Sequence, residues 1–169
     1  MKIAIIYSSK TGNTKALAKA IKETLKNQNL IYFNTPSEKI PIADIYIIGS
    51  WTFKGSPTDD IIQILKALKN KKIAYFATAG YGGNPAYYQK LFERVKSYID
   101  SSNEILGYFY CQGKMPNQIK TKYEQMLKEN PSETKYKKMI DTFDNALSHP
   151  NEEDLNNVKK WINQIIDKN

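Results

Sequence analysis

Residues 3–14 read IAIIYSSKTGNT, and the change of character inside this stretch decides the fold. Ile3-Ala4-Ile5-Ile6-Tyr7 has the length and composition of a strand buried on both faces. Ser8, Ser9, Lys10, Thr11, Gly12, Asn13 and Thr14 follow at once. Leu17, Ala20, Ile21 and Leu25 then recur on one helical face. The chain therefore leaves its core through five hydroxyl or amide side chains and one glycine. Backbone N–H groups at a helix N-terminus favour an anion. Hydroxyls add hydrogen bonds, and Gly12 lets the backbone come close to a ligand. These residues read as a phosphate cradle made mostly of neutral donors. The stretch is neither GxxxxGK[ST] nor GxGxxG. The plainer reading is a helix cap, which needs one such residue rather than five.

Working outward, further strand candidates lie at 29–34, 44–49, 72–77 and 104–111. Helical stripes separate most of them: Ile61, Leu65 and Leu68, then Tyr88, Leu91, Phe92, Val95 and Ile99. The link at 35–43, TPSEKIPIA, holds two prolines and no helical pattern. Alternating strands and helices predict an α/β fold with right-handed crossovers. Five strands predict a doubly wound parallel sheet, with 2-1-3-4-5 as one of the two common orders. After Cys111 three helical stripes follow without a strand. One of them completes the cover of the sheet, so a helical segment at about 117–147 is extra, placed before the C-terminal helix. Asn151 and Asp154 are spaced as a capping pair for that last helix. The 169 residues are expected to form a single domain, 1–169.

Composition narrows the function. No apolar run approaches the ~20 residues of a membrane span, and the first residues lack the pattern of a signal peptide. One cysteine precludes an internal disulfide and fits a reduced, cytoplasmic setting. One cysteine and one histidine argue against a zinc site, and no metal is expected. The formal net charge is +8. Nucleic-acid binding is one reading of such a charge, but the lysines are spread along the chain, and no nucleic-acid partner is expected.

In a doubly wound sheet the ligand lies beyond the carboxyl ends of the strands. Three loops there carry a resemblance. Ser9, Thr11, Gly12, Asn13 and Thr14, directly after the first strand, resemble the phosphate loop of the flavodoxin family. Ser50-Trp51-Thr52-Phe53-Lys54-Gly55, after the third strand, is similar to the loop in which flavodoxins stack an aromatic on the flavin. Thr78-Ala79-Gly80-Tyr81-Gly82-Gly83, after the fourth, resembles the loop that meets the ring's pyrimidine edge through backbone N–H groups. The resemblance spans about 1–111. It implies a flavodoxin-like fold, FMN as cofactor, and an electron carrier with no catalytic residue of its own. Its partners would be redox proteins, a reductase or an acceptor enzyme, with no membrane.

By this resemblance Ser9, Lys10, Thr11, Gly12, Asn13 and Thr14 hold the phosphate, and Trp51, with Phe53 second, stacks on one ring face. Tyr81, or else Tyr87 or Tyr88, covers the other. Gly55 would permit a peptide flip when the flavin is reduced. CQGKMP at 111–116 and ALSHPNEEDL at 146–155 resemble a clostridial-type subgroup that includes proteins associated with bilirubin reduction. Cys111 and His149 read as structural. The alternative is an FMN-dependent reductase, or its accessory subunit, acting on a quinone, a tetrapyrrole or another small acceptor. The extra helices could then wall a pocket. The basic charge departs from the acidic character of many flavodoxins and puts docking to a basic reductase in doubt.

Overall fold

The computed structural model describes residues 1–169. Its sheet has five parallel strands: β1 (Lys2–Tyr7), β2 (Asn29–Asn34), β3 (Ile45–Trp51), β4 (Lys72–Ala79) and β5 (Glu104–Gln112). They lie in the order β2-β1-β3-β4-β5, as the alternation of strands and helices predicts. The strand candidates hold to within two residues at their ends. Tyr7 pairs with Gly49, and Trp51 with Thr78, so the carboxyl ends of β1, β3 and β4 finish side by side.

Strand side chains alternate between faces, and this divides the core in two. Ile3, Ile5, Ile45, Ile47, Ala74 and Phe76 face α1 (Asn13–Thr24) and the C-terminal helix, which runs from Glu152 to Ile166. Ala4, Ile6, Tyr46, Ile48, Tyr75 and Ala77 face α2 (Asp59–Ala67) and α3 (Pro85–Lys96). The isoleucines on β1 and β3 are fully buried, each contributing about 1.5–3 kcal/mol from removal of apolar surface. The link at 35–43 contains no helix. The Tyr46 hydroxyl organises it, donating to the Pro41 carbonyl and accepting from the Ala43 N–H, both at 3.1 Å.

The extra segment consists of α4 (Asn117–Glu129) and α5 (Thr134–Ala146), followed by α6 (Glu152–Ile166). The two extra helices pack on each other, with Lys120 paired to Asp144 at 2.6 Å. α4 buries no residue, whereas α5 buries Phe143 and Ala146. α6 opens with the expected capping box, in which Asn151 and Asp154 satisfy each other's backbone N–H.

At the centre of the sheet Gly49 lies beneath the Phe76 ring, and a Cβ at this position would overlap the ring. The Gly49→Ala variant should lose about 1–3 kcal/mol through overpacking. In urea its midpoint should fall without a change in m. Phe76→Leu should be less damaging in the Gly49→Ala background than in the wild type, because the two sites share one space.

Candidate functional site

The loops beyond β1, β3, β4 and β5 enclose a cavity of about 480 Å3, within the size range of small-molecule sites. Its walls include Lys10, Thr11, Asn13, Trp51, Thr52, Phe53, Lys54, Gly55, Thr78, Ala79, Gly80 and Tyr81. Ser9, Gly12, Thr14, Ser50, Gly82 and Gly83 lie behind or beside this wall. Tyr87, the alternative to Tyr81, also lines it, as do Gly113, Lys114, Met115 and Pro116 from the segment after β5 and Ile119 and Tyr123 from the extra helical segment, the last two not singled out in the sequence as site residues.

The loop after β1 works through its backbone. Gly12 has φ 91° and stands as N-cap of α1 without a side-chain cap. The N–H groups of Ser9 through Thr14 donate to no protein acceptor. Such a run of free donors at a helix N-terminus is a fitting place for an anion. The side chains mostly serve other purposes. Ser9 Oγ accepts from the Lys15 N–H at 3.1 Å. Thr14 and Thr78 share a buried hydroxyl–hydroxyl hydrogen bond of 2.9 Å, joining the loop to β4. Asn13 Nδ2 donates to the Lys114 carbonyl at 2.9 Å, joining it to the segment after β5. Thr11 is exposed and free to meet a ligand.

The loop after β3 presents two aromatic rings, Trp51 and Phe53, edge to face at 5.4 Å. Phe53 is 51% exposed. Residues 53–56 form a tight turn closed by hydrogen bonds in both directions between Phe53 and Ser56. Lys54 and Gly55 take φ of 49° and 78° in it. Arg94 Nη1 donates to both carbonyls, at 3.3 and 3.1 Å. Reversing the Lys54–Gly55 peptide would break the contact to the Lys54 carbonyl. Ser50 is buried behind the loop, donating to the Trp51 carbonyl and accepting from the Thr58 N–H.

After β4, the N–H groups of Gly80, Tyr81 and Gly82 have no protein acceptor, whereas that of Gly83 donates to the Tyr88 hydroxyl at 2.9 Å. Tyr88 stacks on Tyr110 at 5.3 Å in the core, and burial pushes its phenol up to about 12. Tyr81 is half exposed and meets Tyr87 edge-on at 5.6 Å. Burial, with Tyr81 nearby, raises the Tyr87 and Tyr123 phenols, so both are neutral donors at physiological pH.

The segment after β5 closes the far wall. Gly113 donates to the Ala79 carbonyl and Lys114 to the His149 carbonyl. Met115 packs against Gly80, where a Cβ would strike it. From α4, Ile119 and Tyr123 complete the enclosure. Their signal in the sequence was an amphipathic stripe whose apolar side the sheet had no room to bury. Lys10, Lys54 and Lys114 line the cavity and no carboxylate does. Two of these ammonium groups lie near aromatic rings, Lys10 Nζ at 5.6 Å from Trp51 and Lys54 Nζ at 5.3 Å from Phe53.

A model of the family described as a flavodoxin domain matches residues 4–163. The chain belongs to the flavodoxin family. A similar protein from Clostridioides difficile, named flavodoxin-like domain-containing protein BilS, is 32% identical over 99% of this chain and 98% of its own. Oxidised flavodoxin 2 from Bacillus cereus, a crystal structure, superposes with a TM-score of 0.62 at 18% identity, covering both chains completely. A flavoprotein from Lactobacillus acidophilus, crystallised with FMN, superposes at 0.51 and 19% identity, over 64% of this chain and 92% of its own. Among helices, none is long and apolar enough to cross a membrane. No group of three or more His, Cys, Asp or Glu is arranged to hold a metal ion.

Cys111 is buried on β5. Burial, aided by the Asp154 carboxylate, pushes its thiol well above the ordinary range. The folded protein should therefore resist a thiol–disulfide reagent at about pH 8 and react with it once unfolded in denaturant, since the free-thiol pKa is ~8.5. Rapid labelling of the native state would contradict this burial.

Proposed function

We propose that the protein binds FMN at the cavity and acts as a cytoplasmic electron-transfer protein. The observation that carries this reading is the run of unpartnered N–H groups at Ser9–Thr14 beside an aromatic-walled cavity. Those donors, with the Thr11 hydroxyl, suit a phosphate monoester. Trp51 suits one face of a flat ring, with Tyr81 opposite, because stacking removes apolar faces from water. The free N–H groups of Gly80, Tyr81 and Gly82 suit carbonyl oxygens and ring nitrogens at the ring's polar edge. When bound, flavin takes up and releases electrons one or two at a time and gains negative charge on reduction. The chain's own part is to hold the ring, exclude water and set the surrounding charge.

Two variants separate the phosphate loop from the stacking aromatic. Thr11→Ala should weaken FMN by ~1–3 kcal/mol through loss of a charge-assisted hydrogen bond while leaving riboflavin unchanged. Trp51→Ala should weaken FMN and riboflavin alike. Equal affinity of the wild type for FMN and riboflavin, measured by quenching of flavin fluorescence, would sink the assignment.

The lysines bear on the redox potential. Positive charge around the ring favours the added electrons. Lys54→Glu and Lys114→Glu should each lower the midpoint potential of the bound flavin, on the order of tens of millivolts at low salt. The difference should shrink as salt is added. Potentials unmoved by either reversal would mean that hydrogen bonds to the ring set them.

The second reading is an FMN-dependent reductase, or an accessory subunit of one, acting on a quinone, tetrapyrrole or other small acceptor. Met115, Ile119 and Tyr123 favour it, because they wall a space that a carrier would leave open. The name of the Clostridioides difficile relative is compatible with either. Oxidation of NAD(P)H by the isolated protein, with no added reductase, distinguishes an enzyme from a carrier that waits for its redox partner.

A further inference from the structure

We propose that Arg94 is a positioning residue: it holds the Lys54–Gly55 peptide with its carbonyl turned from the cavity, and so sets how readily a bound flavin takes its first electron. The inference rests on the reading that FMN binds at this cavity.

Arg94 is the only arginine among the 25 lysines and arginines of the chain. It stands in the last turn of α3, outside the cavity wall that Lys54 and Gly55 line. Its Nη1 donates to the Lys54 carbonyl at 3.3 Å and to the Gly55 carbonyl at 3.1 Å. A planar guanidinium meets two acceptors from one fixed position, which an ammonium on a flexible stem does not. No carboxylate competes for it, because the neighbouring Glu93 pairs with Lys96 at 2.8 Å. The approach is close: a Cβ at residue 55 would come within 2.6 Å of Nη1.

The turn adds its own restraint. Positive φ at both Lys54 and Gly55, inside a pair of hydrogen bonds between Phe53 and Ser56, is the pattern of a type I′ turn. Swinging its central peptide round would give type II′, which calls for glycine at the first central position. Lys54 stands there, so it and Arg94 oppose the same inversion. Across a trans peptide the Gly55 N–H points opposite to the Lys54 carbonyl, away from Arg94, and it has no protein acceptor. What this peptide offers the cavity is therefore a donor. With the phosphate at Ser9–Thr14 and the ring's polar edge at Gly80–Gly82, the turn is left to meet the middle of the ring. The ring nitrogen there accepts a hydrogen bond when oxidised and carries a proton once reduced. A donor suits the first state and a carbonyl the second, so the contact made by Arg94 favours the oxidised one.

Potentiometric titration of the FMN complex, resolving the two one-electron steps, tests this. Arg94→Lys keeps the charge and removes the fork. Its first step should become about tenfold more favourable, a rise of about 59 mV. The rise should persist at high salt, where the field of exposed lysines is screened. Lys54→Gly and Lys54→Asn remove the same ammonium, and both residues accept the positive φ of the present turn. Only glycine admits the inverted turn, so the first potential should lie higher in Lys54→Gly than in Lys54→Asn. Thermal unfolding without flavin checks that the variants fold. A first potential unmoved or lowered in Arg94→Lys, or a rise that salt abolishes, would overturn the role of Arg94 and leave the FMN reading standing. So would equal first potentials in the two Lys54 variants. FMN bound by the wild type no more tightly than riboflavin would overturn both.

Discussion

The hydrogen bond between the Thr14 and Thr78 hydroxyls, 2.9 Å long and buried, is the tie on which the site depends. Parallel strands end together, but their loops need not stay together. A buried hydroxyl without a partner costs about 1–3 kcal/mol, so each threonine holds the other in place. Asn13 repeats the device toward the segment after β5. With its side chains occupied in this way, the loop after β1 points its backbone donors outward. Several residues that look like ligands in the sequence thus act as fasteners, and the groups left without a protein partner are the amides between them.

That division explains what was legible beforehand. Strand positions, sheet order and the absence of a helix at 35–43 follow from apolar runs, alternation and prolines, which are local properties. The importance of residues 9–14 was legible for the same reason, because polar residues at a strand end must serve something. The role of each side chain was not. Whether Thr14 faces a ligand or Thr78 depends on a residue 64 positions away. Likewise Ser50 looked like part of the cavity and instead braces the loop behind Trp51. Ile119 and Tyr123 lay in the extra helical segment, which has no counterpart in the ordinary family pattern. Their place was set by where the chain returned after β5, which periodicity does not encode.

Charge and enclosure together give the cavity its character. Three lysines and no carboxylate line the cavity, so its field attracts anions and electron-rich partners alike. The added helices narrow access to it. The same backbone scaffold can thus serve different redox tasks through the residues placed around its rim.

The shallow seating of α4 has a consequence of its own. This helix buries no residue and leans on α5, which reaches the interior through Phe143 and Ala146. Segments with so few buried contacts open at a small fraction of the free energy needed to unfold a core. Amide protons of α4 would exchange with solvent sooner than those of β1 or β3. The part of the cavity wall that α4 supplies would then be its least stable part, and the strand ends beneath it the most stable.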